Sequence, residues 1–408
     1  MRPITEVRAS ILSVVRVLPS EPVPFQDAVG RILAEPVTAP HDVPSFSNSA
    51  MDGFAVRGAD VVDAGAVLEI IEDVAAGQVA ESHVGEGQAI KIMTGAPMPE
   101  GADTVVRVED TEEEDGKVRI ATAVAPGTSV RAPGSDVAAG STVFAAGTRL
   151  SEPHLGVLAT IGVVTPDVAR RPRVAVMSTG DELVPADTAE LEPGLIRDSN
   201  RPMLLALVSA AGADPVDMGR IPDDADSLRA ALGRAAAETD AIVTSGGVSM
   251  GEYDVTKMVL REETDVDFFS VAMKPGKPQG FGMVGGTPFF GLPGNPVSVL
   301  VSFEQFVRPA LLAMQGASAL LRPRVTALAG EDFFSDGAKE EFIRVSNSGD
   351  PFNPRVIQTG GRGSHVLSGA ANADAFAVLP VGVERISEGE TVILELFRAV
   401  ETRGVEDG

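Results

Sequence analysis

The chain has 408 residues, more than the roughly 250 to 300 at which a single hydrophobic core stops growing, and 44% of them are hydrophobic; several folded domains are expected and a disordered chain is excluded. The 58 acidic residues against 33 basic ones leave a formal charge of -25, a field that repels phosphate backbones and excludes a general nucleic-acid or membrane-surface binder. Cysteine is absent, which removes disulfides, thiolate metal sites and a cysteine nucleophile, and suits a reducing cytoplasm.

Ile4, Val7, Ile11, Leu12, Val15 and Leu18 recur at helical spacing, so the chain is expected to open with an amphipathic helix that Pro19, Pro22 and Pro24 end. A second short helix is expected over 27–35. It leads into the polar, proline-rich stretch 40–53, which reads as an ordered functional loop. Short β-favouring runs at 67–71, 89–93, 104–108 and 117–120 predict a small β domain, with the acidic residues 112–115 as a solvated hairpin tip. After residue 170 strands at 174–178, 215–220, 241–244 and 266–271 alternate with helices at 202–211, 225–238, 254–262 and 297–314. This is the texture of a parallel sheet with right-handed crossovers. The uncharged run 278–303 exceeds a membrane span, but its four prolines and six glycines would leave backbone groups unpaired in lipid, so it is expected to be a loop-rich site. Runs at 324–329, 342–345, 355–358, 375–380 and 391–397 predict a small barrel or sandwich at the end of the chain.

Ligands of open α/β sheets sit beyond the carboxyl ends of the strands. Three loops there are rich in chemistry: Ser178-Thr-Gly-Asp-Glu182, Thr244-Ser-Gly-Gly-Val-Ser249 and Leu292-Pro-Gly-Asn-Pro296. A glycine pair alone is as readily a structural turn, whereas three such loops on one edge point to backbone N–H cradles for an anion. Lysine is scarce, with six in the chain, yet Lys274 and Lys277 share one segment that Pro275 and Pro278 are expected to hold extended. They are a candidate oxyanion clamp, the plainer reading being two solvated surface lysines. Gly280-Phe-Gly-Met-Val-Gly285 fits a dinucleotide fingerprint, but Pro288 stands where its helix would begin. Gly247-Val-Ser249-Met-Gly251 fits a nucleophile elbow with His365 downstream, so a serine hydrolase is an alternative, although a domain shift is expected to separate the two residues. His41, His83, His154 and His365 show no metal-ligand spacing; carboxylates must hold any metal, and magnesium is the natural choice.

Ser49-Ala-Met-Asp-Gly-Phe-Ala55, Ile92-Met-Thr-Gly-Ala-Pro97, Ser178-Thr-Gly-Asp-Glu-Leu183, Asp198-Ser-Asn200, Thr244-Ser-Gly-Gly-Val-Ser249, Lys274-Pro-Gly-Lys-Pro278 and Leu292-Pro-Gly-Asn-Pro-Val-Ser298 follow one another in an order that resembles the molybdopterin molybdenumtransferase family, which includes the C-terminal part of gephyrin. Phe54 stands where tyrosine is common and Met250 where valine is usual. The resemblance covers nearly the whole chain and implies a multidomain α/β plus β fold. Its parts are an elongated helical linker domain (1–40 and 141–170), a small inserted β domain (41–140), a three-layer molybdopterin-binding α/β domain with a parallel-dominated sheet (171–318) and a C-terminal β barrel (319–408). It implies that molybdate is inserted into adenylyl-molybdopterin, with Mg2+, giving molybdenum cofactor and AMP. It also implies a homodimer whose site takes Asp52 and Thr94 from one subunit and the α/β loops from the other, with transient contacts to the adenylyltransferase and to molybdoenzyme recipients. Carried over residue by residue, Asp52, Glu182, Asp254, Lys274, Lys277, Arg344 and Ser364 are expected to be catalytic. Thr94, Asp136, Thr179, Gly180, Asp181, Asp198, Asn200, Ser245, Gly246, Gly247, Ser249, Pro293, Gly294, Asn295 and Pro296 are expected to bind substrate. Asp198 and Asn200 would pair with the pterin rim, and Lys277 with Arg344 would clamp molybdate. Glu182, Asp224 and Asp254 are expected magnesium ligands, Asp254 serving equally well as a helix N-cap. Since gephyrin also anchors a partner peptide, a scaffold or binding role is the further alternative.

Overall fold

A computed structural model describes residues 1–75, 77–247, 258–261, 264–348 and 354–397. Val174, Val176 and Val243 alternate with Ala175, Met177 and Ile242 along strands Arg173–Thr179 and Ala241–Ser245, so each strand presents apolar side chains to both faces and needs cover on both. One face packs on Leu204 and Val208 of helix Asn200–Ala210 and on the long helix that begins at Pro296. The other packs on Leu228, Leu232 and Ala235 of helix Ala225–Glu238 and on Val259 and Leu260. This is the three-layer body anticipated from the sequence.

Its six-stranded sheet runs in the order Asp214–Ile221, Arg173–Thr179, Ala241–Ser245, Thr287–Leu292, Pro278–Val284, Asp265–Ser270. The first four strands are parallel, and the hairpin strand Pro278–Val284 pairs antiparallel on both sides. The run expected to be loop-rich is therefore a central hairpin followed by a helix. Its glycines mark close backbone approaches: a Cβ on Gly282 would lie 2.0 Å from the carbonyl oxygen of Asp265. The long helix comprises Pro296–Ser302, a π-helical turn at Phe303–Val307 and Arg308–Met314. Pro309 has no N–H for the carbonyl four residues back, and that oxygen, of Gln305, accepts from Arg8 Nε at 3.0 Å instead. The helix is apolar and long enough to span a bilayer, but 89% of its apolar window is buried, as in the core helix of a soluble protein.

The opening helix is Ile4–Val14, with Ile4, Val7 and Ile11 buried in the same α/β core. It stops short of the expected end at residue 18, where the Leu18 N–H is taken by Met314 O at 2.8 Å. The helix expected over 27–35 does not form. A 3-10 turn at Phe25–Asp27 is followed by Gly30 at φ +78, after which Ile32 and Leu33 bridge to Arg149 and Val168. In 15–40 and 141–170 the one α-helix among the described residues is Glu152–Thr160; short strand pairs such as Ser20–Pro22 with Asp167–Ala169 supply the rest.

The small β unit is a six-stranded sheet with Gly53–Val56, Gln88–Ile92 and Val67–Val74 at its centre. Its acidic hairpin turns at Asp115 and Gly116, both at positive φ, while residues 112–114 lie in strand Thr111–Glu114. At the other end of the chain Arg324–Ala329, Glu340–Asn347, Arg355–Gln358, Ala375–Leu379 and Thr391–Leu396 form a sheet closed by pairing of the second with the fourth. A two-residue strand, Met273–Lys274, adds in parallel to Glu340–Asn347 and sews this barrel to the α/β body.

Candidate active site

The register of the parallel strands decides where the three glycine loops meet. Ser178 pairs with Ser245, and Ser245 pairs with Leu292, so all three loops leave one sheet edge side by side. Gly246 and Gly247 have φ of +93° and +69°, and a Cβ on Gly246 would lie 2.7 Å from Thr179 O. Only glycine brings backbone that close. Thr179, Gly180, Ser245 and Pro293 are buried beneath this edge, leaving Gly246, Gly247 and Gly294 to present backbone toward a ligand. Ser249 and Asp254 lie outside the described residues, so neither the serine-hydrolase elbow nor the Asp254 ligand has a position here.

Beside that edge the turn 274–277 carries the two lysines. It is not extended as expected: Gly276 has φ +100 and the Val271 N–H donates to Lys277 O at 2.8 Å, so the segment doubles back. Both lysines thereby reach one cleft of about 300 Å³ between the α/β body and the barrel. Lys274, Lys277, Asn295, Arg344, Arg362 and Ser364 line it. The start of the long helix forms part of the wall, with the Val297 N–H donating to Ser364 O at 3.0 Å.

The cations are not equivalent. Lys277 has no ion-pair partner among the described residues, whereas Lys274 Nζ lies 3.1 Å from Glu341 Oε1. Arg344 is 4% exposed and donates from Nη1 to Val366 O at 2.6 Å and from Nη2 to Gly361 O, while burial pushes its pKa below the ordinary guanidinium value. It is thus first a tie for the 361–366 loop, with the remaining N–H groups left for an anion. Arg362 and Glu341 had no sequence signal: each comes from the barrel and reaches the lysines only through tertiary pairing.

Asp198 and Asn200 are both buried at the start of helix Asn200–Ala210. Asp198 is buried, accepting from Ser178 Oγ at 2.6 Å and from the Arg201 backbone N–H and Nε at 3.1 and 3.2 Å. Asn200 donates from Nδ2 to Gly294 O at 2.7 Å, tying a helix start to the third glycine loop. Both brace the site's frame, and the Asn200 Oδ1 is buried with no hydrogen-bond partner among the described residues. Asp181 pairs with Arg220 at 3.2 Å. Asp224 is the N-cap of helix Ala225–Glu238, accepting from the Ser227 N–H at 2.8 Å, and its hydrogen bonds with Ser227, hydroxyl first and then N–H, hold its carboxyl below the ordinary value. Among the described residues no three carboxylates or imidazoles gather as a metal cage. Glu182 and Asp224 are both exposed with no cation paired to them among the described residues, but Asp224 is engaged as a cap, while the Glu182 carboxylate lies against Gly180.

Asp52 and Thr94 meet in the small β unit, away from this cleft. Asp52 Oδ1 accepts from the Thr94 backbone N–H at 2.7 Å and its hydroxyl at 2.8 Å, and these bonds, the backbone one first, hold the Asp52 carboxyl below its ordinary value. Asp136 is likewise exposed, its N–H donating to Val43 O at 3.0 Å. None of the three lines the cleft.

Three family models match the chain in order: the MoeA N-terminal region (domain I and II) over residues 2–162, a probable molybdopterin binding domain over 175–313 and the MoeA C-terminal region (domain IV) over 326–397. The chain is 39% identical over 399 residues to molybdopterin molybdenumtransferase 2 of Mycobacterium tuberculosis, covering 95% of this chain and 98% of the relative. It is 37% identical over 379 residues to the molybdopterin molybdenumtransferase of Haemophilus influenzae, covering 91% and 93%. A molybdopterin biosynthesis moeA protein from Pyrococcus horikoshii OT3 superposes with a TM-score of 0.86 at 31% identity, over 97% of this chain and 100% of that one.

Proposed function

Because this chain belongs to the molybdopterin molybdenumtransferase family, and so is a transferase of molybdenum cofactor biosynthesis, we propose that its cationic cleft binds molybdate while the adjoining glycine edge holds a phosphate of adenylyl-molybdopterin. Molybdate enters the pterin and AMP leaves. The observation that carries this reading is the cleft itself: in a chain of net charge -25, four cations converge on one cavity beside three aligned glycine loops.

Lys277, with no ion-pair partner among the described residues, supplies a point charge to the oxyanion, and Arg344 fixes the loop that carries Ser364 and offers its remaining N–H groups to the same anion. The Gly246 N–H is itself held by Leu292 O at 3.1 Å, and the missing Cβ at Gly246, Gly247 and Gly294 lets a phosphate approach the backbone of the loops closely. Holding the two anions side by side converts the transfer into a reaction between oriented neighbours. Mg2+ takes one or two carboxylates and completes its shell with substrate phosphates and water, which fits the exposed Glu182 carboxylate; when bound it would offset the phosphate charge. Asp52 and Thr94 lie on a different unit from the cleft, and a homodimer that brings a second subunit's Asp52 loop over it accounts for their polar, exposed arrangement. The experiment is molybdate-dependent release of AMP from adenylyl-molybdopterin by the purified protein. Release that ignores molybdate, or none, would reject the reading.

A further inference from the structure

A cleft built to hold an oxyanion has a carboxylate in its wall. Glu341 is 4% exposed, lies on barrel strand Glu340–Asn347, and pairs in register with Lys274, whose ammonium it contacts at 3.1 Å. Its neighbours Phe342 and Ile343 are buried apolar residues, so packing alone would be met by another of their kind. A buried carboxylate is instead costly, and here it also repels the anion.

Resting on the proposed oxyanion cleft, we propose that Glu341 is a positioning and affinity-setting residue. It pins the Lys274 ammonium to the cleft wall and cancels one of four positive charges, so that a tetrahedral dianion is held firmly enough to be placed and loosely enough to be passed on. The lining cations Lys274, Lys277, Arg344 and Arg362 against Glu341 leave a formal charge of +3, which becomes +4 without the carboxylate. Tighter binding of the unreacted oxyanion deepens the ground state and slows the step that follows, because only interactions stronger in the transition state accelerate it.

The test is a charge cycle on the full-length protein, titrating molybdate and, as an unreactive tetrahedral dianion, sulfate. Glu341→Gln keeps the shape and removes the charge; both anions should then bind about ten-fold tighter, with KM for molybdate and kcat falling together. Glu341→Asp, which keeps the charge, should stay near the native affinity. Should Glu341→Gln not fold, Lys274→Gln and the double variant Lys274→Gln/Glu341→Gln decide instead. The double variant, restored to +3, should bind the anions more tightly than Lys274→Gln alone. Unchanged or weaker anion binding in folded Glu341→Gln, or a double variant no tighter than Lys274→Gln, would overturn the inference. Lys277→Ala separates it from the reading beneath: if that change leaves wild-type anion affinity intact, the oxyanion cleft itself is wrong and both fall.

Discussion

Replacing Lys277 by alanine should weaken molybdate binding without weakening the fold, because the structure gives its ammonium no protein partner to lose among the described residues. A charge-assisted hydrogen bond to an ion is worth about 1.5 to 3 kcal/mol, and each 1.4 kcal/mol is about ten-fold in affinity, so the loss should be roughly ten- to hundred-fold. Lys274→Ala makes the contrast. It removes a similar charge from the cleft but strands the Glu341 carboxylate, whose side chain is 6% exposed, so Tm should fall as well as affinity. Isothermal titration with molybdate, thermal unfolding of the same samples, and a separate binding assay with adenylyl-molybdopterin divide the effects. Lys277→Ala with native molybdate affinity, or with pterin binding lost in its place, would refute the assignment of the cleft.

Arg344→Lys should lose both molybdate affinity and about 2 kcal/mol of stability in thermal or urea unfolding, since one ammonium cannot serve the carbonyls of Val366 and Gly361 that the guanidinium fork holds together. Gly246→Ala, at φ +93 with its new methyl 2.7 Å from Thr179 O, should cost about 1 to 3 kcal/mol and abolish pterin binding measured by fluorescence; an unimpaired variant would remove the glycine edge from the site. Mixing Asp52→Ala with Lys277→Ala protein should restore some activity through heterodimers with one intact site, and verified heterodimers without activity would exclude a shared site. The Asp52 carboxyl titrates below its ordinary value, so the stability it contributes is present above the unfolded carboxylate pKa and is lost as pH falls through the lower folded value. Thr94→Val removes the hydroxyl but keeps the larger backbone contribution, so NMR titration should find the Asp52 pKa moved part of the way back up.

What could be read from the sequence was local. Helix Ala225–Glu238 was recognisable from its own periodicity, and the three glycine loops from their place after β-branched runs. The hairpin Pro278–Val284 and Thr287–Leu292 looked like loop because Gly280 and Gly282, which read as breakers, are there to admit Phe268 and the backbone of Asp265. The short helix expected at 27–35 failed at Gly30, whose left-handed conformation redirects the chain. At the cleft, lysine scarcity singled out Lys274 and Lys277, and the resemblance alone pointed to Arg344 and Ser364; Glu341 and Arg362 left no trace, because they depend on the barrel docking through Met273–Lys274. Asp198 and Asn200 stood out through the resemblance alone; their hydrogen bonds with Ser178, Arg201 and Gly294, which brace the site's frame, had no sequence signal. Asp224, expected to hold magnesium, also caps a helix, a role legible in an aspartate placed just before the first turn.

The central claim is that one cleft between the α/β body and the barrel receives the oxyanion. Crystals soaked in molybdate and measured at the molybdenum absorption edge test it most directly. An anomalous peak within hydrogen-bond reach of Lys277 Nζ, in the cavity walled by Arg344, Arg362 and Ser364, is the expected result. A peak elsewhere, with that cavity empty of molybdenum at saturating molybdate, would contradict the account.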